Sequence, residues 1–289
     1  MKKFDAAASE RVFGMFAPLT MIAAAIMNYA GTAFAVGLFD VASVTAVGWG
    51  RFATASLIMI VIFRPKIELK RIWVPILFGL AMTSMNLVFY HAIAHIPLGA
   101  AVALEFLGPV ILSAVTARGW RVRTGLVLAV CGVGMISWVG VDIANRNVQI
   151  GVLLALAAGI FWAIYMYLGG KIAASGKGSH ALTIGMSAGT LFYLPFAAKS
   201  FLPIATSPKY LALMFLVGIF SSILPFLVEL TVMRYIATPV YALLVALYPA
   251  TSILVGFVVL RQIPTTGELA GLFLITAAVA LVNGVKESR

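Results

Sequence analysis

Residues 98–117 read LGAAVALEFLGPVILSAVTA. Twenty helical residues rise about 30 Å, the thickness of the bilayer hydrocarbon. The stretch carries one ionisable side chain, Glu105, with Pro109 one helical turn beyond it. Working outward, comparable apolar runs lie at 16–37, 42–63, 72–94, 122–140, 150–170, 181–200, 209–234, 239–260 and 266–285. None alternates with the period of two that a membrane barrel requires. Helices satisfy their own backbone groups in lipid, so the expectation is an all-α membrane protein of ten transmembrane helices.

Composition agrees. The 289 residues are 63% hydrophobic and 10% charged, against about 45–50% and about 25% in soluble domains. A net charge of +11 raises nucleic acid as a partner. The charges, however, sit in short loops between apolar runs and form no basic face interleaved with aromatics, so no nucleic-acid partner is expected. The only cysteine, Cys131, lies inside an apolar run and reads as a small packing residue. Lys2, Lys3 and Ala33-Phe34-Ala35 imitate a cleavable leader. Asp5, Glu10 and Arg11 before the apolar run, and the repeat described next, favour a retained first helix.

Loop charges orient the chain. With a cytoplasmic N-terminus, Arg146, Lys199, Lys209 and Arg261 face outward, Arg51 lies within the second span, and the other fifteen of the 20 Lys and Arg face the cytoplasm. That bias follows the positive-inside rule and places both termini in the cytoplasm. Leu107-Gly108-Pro109 matches Leu247-Tyr248-Pro249 at an offset of 140 residues, and the segments 94–97 and 234–237 fall on each other at that offset. The fifth and tenth spans both end in glycine, Gly140 and Gly284. Five is odd, so a second copy enters the membrane from the opposite side, and inverted repeats of this kind are typical of secondary transporters. The expected organisation is a cytoplasmic segment 1–15, a five-helix repeat 16–140, a linker 141–149, an inverted five-helix repeat 150–285 and a cytoplasmic tail 286–289.

An ionisable group inside a span costs about 2.5–3.5 kcal/mol even on lenient insertion scales. Arg51, Glu105 and Glu229 should therefore face the interior of the bundle. Pro109 removes a backbone hydrogen bond and frees a carbonyl near Glu105. Pro225, four residues before Glu229 with Ser221 and Ser222 a turn earlier, repeats the arrangement. A buried carboxylate can exchange a proton during a cycle or hold a substrate ammonium. Arg51 either pairs with one of them as structural glue or grips a substrate carboxylate through two parallel hydrogen bonds. Asn28, Asn86, Tyr90, Trp162, Tyr165 and Tyr248 are candidates to line a cavity, the alternative being helix packing. Pro109, Pro225 and Pro249 should bend their helices. His91 and His95 stand four apart, but no carboxylate or cysteine nearby completes a metal site. No nucleotide-binding loop or nucleophile motif is present, so no cofactor, no metal and no enzymatic activity are expected.

The stretch from Tyr90 to Pro109 resembles the EamA family of the drug/metabolite transporter superfamily, and within it the threonine/homoserine exporter branch. Phe161-Trp162-Ala163-Ile164-Tyr165 is similar to that branch's sixth helix, Leu224-Pro225-Phe226-Leu227-Val228-Glu229 to its eighth, and Arg51 to the arginine of its second. The resemblance runs from about residue 16 to 285. It implies two inverted five-helix repeats in the inner membrane and export of small amino acids or related metabolites by proton antiport. The chain departs from the branch twice. Tyr248 stands where the exporters carry a Glu before the proline of helix nine, and Arg261-Gln262 replaces a Gly-Glu at that helix's end. The expected partners are a small-molecule substrate, protons and the lipid bilayer. An uncoupled facilitator with structural carboxylates, or a non-transporting membrane protein, remain the alternatives.

Overall fold

A computed structural model of the chain describes residues 2–66, 72–116, 120–139, 144–235, 245 and 248–283. All regular structure among these residues is helical. In chain order the helices are α1 (Lys2–Val36), α2 (Val44–Phe63), α3 (Trp73–Ile93), α4 (Leu98–Glu105), α5 (Leu107–Thr116) and α6 (Trp120–Val139). They continue with α7 (Arg146–Ala174), α8 (Gly178–Ala205), α9 (Pro208–Gly218), a π-helical turn (Ile219–Ile223), α10 (Leu224–Tyr235), α11 (Tyr248–Val258) and α12 (Thr266–Asn283). Gly140, Ile236, Ala237, Leu247, Gly284 and the loop cations Lys70, Arg71, Arg118, Lys286 and Arg289 lie outside the described residues.

Six helical stretches are long and apolar enough to cross a membrane: Leu19–Val36, Val44–Phe63, Trp73–Ile93, Arg146–Ala173, Gly178–Ala205 and Pro208–Arg234. Shorter apolar helices cover Leu98–Leu112, Arg123–Gly132 and Thr266–Ala278. The side chains are arranged for lipid. Leu153, Leu191, Phe196 and Phe273 are all more than 60% exposed, while Arg51, Thr54, Thr83, Glu105, Ser222 and Glu229 are buried. A soluble protein would leave far less contiguous apolar surface bare. This is a multi-pass membrane protein.

Two expected spans are interrupted. The run 98–117 is broken at Phe106 into α4 and α5. Pro109 has no N–H to give the carbonyl four residues back, that of Glu105. The freed carbonyl meets Gly159 of α7, where a Cβ would come within 2.5 Å of it. Gly108 and Gly159 therefore let the two backbones touch, because a side chain on either would push them apart. The run 209–234 contains the π-turn just before Pro225, a frequent irregularity at functional sites. Elsewhere the expected bounds shift modestly: α1 begins at Lys2, and α7 begins at Arg146, inside the expected linker. Pro195 and Pro203 lie within α8, which runs through both.

In the bundle, α2 packs on α8, α6 on α12, and α4 on α11. Helix α3 packs on α7 and α8; the α9–π–α10 segment packs on α1 and α2. Helices α4 and α5 lean on α7, and α11 leans on α1. The functional-site candidates sit where these contacts converge.

Candidate functional site

Asn28, Arg51, Asn86, Glu105, Trp162, Tyr165, Glu229 and Tyr248 line one cavity, together with Tyr29, Thr32, Met85, Phe89 and Phe226. Residues up to 220 positions apart in the chain are thus brought to one place. Tyr90 joins through Arg51. The space available to water centres is about 30 Å³. One water takes about 10–15 Å³ on that measure, so two or three waters fill it and no metabolite enters unless the helices move.

Arg51 comes from mid-α2 and is 1% exposed. Its Nε donates to Ser222 Oγ at 2.7 Å, one terminal nitrogen to Tyr90 OH at 3.4 Å, and the other to Asn28 Oδ1 at 3.1 Å and to the Ser221 carbonyl. That carbonyl is available for a local reason. Pro225, four residues on, has no N–H to offer it, and Leu224 N–H goes instead to Ile219 across the π-turn. A buried charge is tolerable only when it is well hydrogen-bonded, and here every bond goes to a neutral oxygen. None of these acceptors is a carboxylate, and Glu105 and Glu229 line the same cavity as Arg51. Four of the five guanidinium N–H groups are committed among the described residues, so a two-pronged grip on a substrate carboxylate would require one of these bonds to be exchanged.

Ser221 is itself held: its Oγ donates to the Asn28 carbonyl at 2.8 Å and lies 3.3 Å from Thr32 Oγ1. Gly31 makes the approach possible, since a Cβ there would lie 2.6 Å from Ser221 Cβ. The π-turn is pinned to α1, and Arg51 is pinned to the π-turn.

Glu229, on α10, is clamped. Tyr165 OH donates to its Oε2 at 2.9 Å and Tyr248 OH to its Oε1 at 2.8 Å. Both tyrosines are fixed by other rings. Tyr165 stacks on Phe78 with centroids 5.0 Å apart, and Tyr248 is stacked with Trp162 and edge-on to Tyr29. Glu105, at the C-terminal end of α4, is equally buried but makes no side-chain hydrogen bond among the described residues. The two carboxylates occupy one cavity in different states of engagement. Asn86 donates to the Met82 carbonyl at 2.9 Å, which keeps its amide oxygen directed away from that bond.

The three prolines have separate consequences. Pro109 accompanies the break at Phe106, Pro225 the π-turn, and Pro249 lies in the first turn of α11. His91 bonds Thr45 Oγ1 through Nε2 at 2.8 Å. The lining residues absent from the sequence reading carry a usable signal. Thr32 follows Asn28 by four, Phe89 follows Asn86 by three, and Phe226 precedes Glu229 by three, spacings that share a helix face.

A membrane-embedded bundle that gathers an arginine, two carboxylates, amides and tyrosines from seven helices around an internal cavity has the make-up of a small-solute transporter. The chain belongs to the EamA-like transporter family, whose model matches residues 149–284. It is 31% identical to the threonine/homoserine exporter RhtA of Escherichia coli K12 over 93% of this chain and 92% of that one. The Salmonella typhimurium (strain LT2) exporter of the same name is 29% identical over the same shares. A Bacillus subtilis (strain 168) protein, the uncharacterized transporter YvbV, is 28% identical over 81% of this chain and 80% of its own. A solved crystal structure, 17% identical, superposes with a TM-score of 0.63 over 93% of this chain and 99% of that chain, a likeness of fold alone. The protein is a transporter and not an enzyme.

Proposed function

We propose that the protein exports small amino acids or closely related metabolites across the inner membrane by proton antiport with alternating access. The observation that carries this reading is the unequal engagement of the two carboxylates. Glu229 accepts from two tyrosines and suits the role of a fixed anion balancing Arg51. Glu105 shares the cavity with no side-chain hydrogen bond among the described residues, so it is the group available to exchange a proton or a substrate ammonium. The exporter relatives support an amino acid as cargo, and the one Arg51 N–H that makes no hydrogen bond among the described residues suits one oxygen of its carboxylate. Asn28, Asn86, Tyr90, Trp162, Tyr165 and Tyr248 would line the path.

Two inverted five-helix repeats fit the packing, and the bias of the loop cations supports cytoplasmic termini. Exchange each expected span for the one five places along, and the contacts map onto each other. The α3–α7 contact pairs with α10–α1, α3–α8 with α9–α2, and α4–α7 with α11–α1, while α2–α8, α4–α11 and α6–α12 map onto themselves. The near absence of free volume fits a state closed between two openings.

In everted vesicles, uptake of threonine or homoserine driven by an imposed pH gradient should fall to background in Glu105→Gln, with protein level unchanged. Uptake at the unsubstituted rate would sink Glu105 as the exchanging group. Uptake by the unsubstituted protein that ignores an uncoupler would replace antiport with facilitated diffusion.

A further inference from the structure

A second, larger cavity of about 620 Å³ opens at the ends of α2 and α7 and the starts of α3 and α8. Four membrane-crossing helices begin or end around it, so it lies at the level where hydrocarbon gives way to water. One wall is apolar, made by Phe63, Ile72, Trp73, Val74, Ile172 and Ile184; the other carries Arg64, Lys66, Lys171 and His180. No carboxylate is among the described lining residues.

Loop cations facing the cytoplasm are expected of any polytopic protein and need no ligand. Four features set these apart. They line a concavity instead of projecting into open solvent. The apolar wall is continuous with bare, lipid-facing surface, since Trp73 is 68% exposed and Ile62 and Val61 are similarly bare. Arg64 also holds left-handed backbone at φ 42° as the C-cap of α2, a conformation that costs a non-glycine residue about 1–2 kcal/mol, where glycine would adopt it freely. Lys171 lies 4.2 Å above the ring of Tyr167, a neutral partner, and no carboxylate stands beside it among the described lining residues. Like charges gathered around one hollow repel, and an anion entering it relieves that repulsion.

We propose that this cavity binds the phosphate-bearing headgroup of an anionic phospholipid, its acyl chains leaving along Trp73 and the exposed face of α2. The cations meet the phosphate, and the apolar wall meets the first carbons of the chains. Basic hollows between helices at the cytoplasmic interface suit such headgroups on charge alone. The site is separate from the central cavity and independent of what that cavity carries.

Native mass spectrometry of the full chain, released from detergent carrying phosphatidylglycerol or phosphatidylethanolamine, tests the assignment. The unsubstituted protein should retain phosphatidylglycerol in preference. Retention should drop about five-fold for each interfacial cation removed, and about a hundred-fold in the Arg64→Gln/Lys66→Gln/Lys171→Gln variant. Because removing three loop cations also weakens orientation in the membrane, Lys66→Gln and Lys171→Gln alone are measured too, with the smaller loss expected of each. Equal retention of the two lipids, or undiminished retention by both single variants, overturns the proposal. Thermal protection by inorganic phosphate alone that matches that by phosphatidylglycerol also overturns it, because the ligand is then a soluble anion.

Discussion

Glu229 illustrates how neutral groups can hold a buried carboxylate in place. Tyr165 and Tyr248 reach it from different helices, one to each oxygen, and each hydroxyl is positioned by ring packing. Replacing Tyr248 with Phe keeps the stack on Trp162 and the edge contact with Tyr29 while removing one donor. A hydrogen bond to a buried charged acceptor contributes about 1.5–3 kcal/mol, so Tyr248→Phe and Tyr165→Phe should each lower the unfolding temperature in detergent. Because both donors serve one carboxylate, the double variant should deviate from the sum of the singles. Unchanged unfolding temperatures in both single variants would remove the clamp. Tyr248 also gives a meaning to one departure from the exporter branch: a hydroxyl donor occupies the position where the relatives are expected to carry a second acid.

The other departure operates on helices. Arg261, at the place of the branch's glycine, holds left-handed backbone at φ 58°, the conformation a glycine adopts without strain. Gln262 Oε1 accepts from Leu98 N–H at 3.1 Å, satisfying one of the donors that the first turn of α4 leaves open. Gln262→Ala should cost about 1 kcal/mol, the usual worth of a helix cap, whereas Gln262→Glu keeps the acceptor and should cost nothing or stabilise. Thermal unfolding of the two variants decides it; equal losses would mean the bond contributes nothing. The helices themselves were largely legible in the sequence, because a run of twenty apolar residues permits little else in lipid. Their interruptions were only partly so. Pro109 and Pro225 mark a break and a π-turn, yet α8 runs through Pro195 and Pro203, so proline alone does not place an irregularity. The candidate site was legible as a set of costly residues. Its wiring was not. Arg51 reaches a carbonyl 170 residues away, and only tertiary packing brings that neutral group to it.

Under the proposed inverted repeat, the packing of the described helices repeats while the chemistry does not. At the 140-residue offset Glu105 falls on Val245 and Glu229 on Phe89, so on that proposal a near-symmetric scaffold encloses an asymmetric site. Symmetry of packing permits two openings of similar shape, and asymmetry of charge gives the two directions different consequences. Under alternating access, the contacts between halves at one end must part while those at the other hold. In the proposed orientation, Gly99 at the start of α4 and Ile253 on α11 meet toward the outer face. A Cβ built on Gly99 would lie 2.6 Å from Ile253 Cγ1 and 3.6 Å from its Cα. The Ile253 Cβ bonded to both is then about 4 Å away, within the about 3.5–4.5 Å between the Cβ atoms of a disulfide. With Cys131 replaced by Ser, oxidising a Gly99→Cys/Ile253→Cys variant ties the halves where substrate must leave. Export should stop on oxidation and return on reduction, while each single-cysteine variant transports in either condition. Transport that continues with the pair fully cross-linked would show that the outer ends of α4 and α11 stay together throughout the cycle, and the rocking of one half against the other would have to be abandoned.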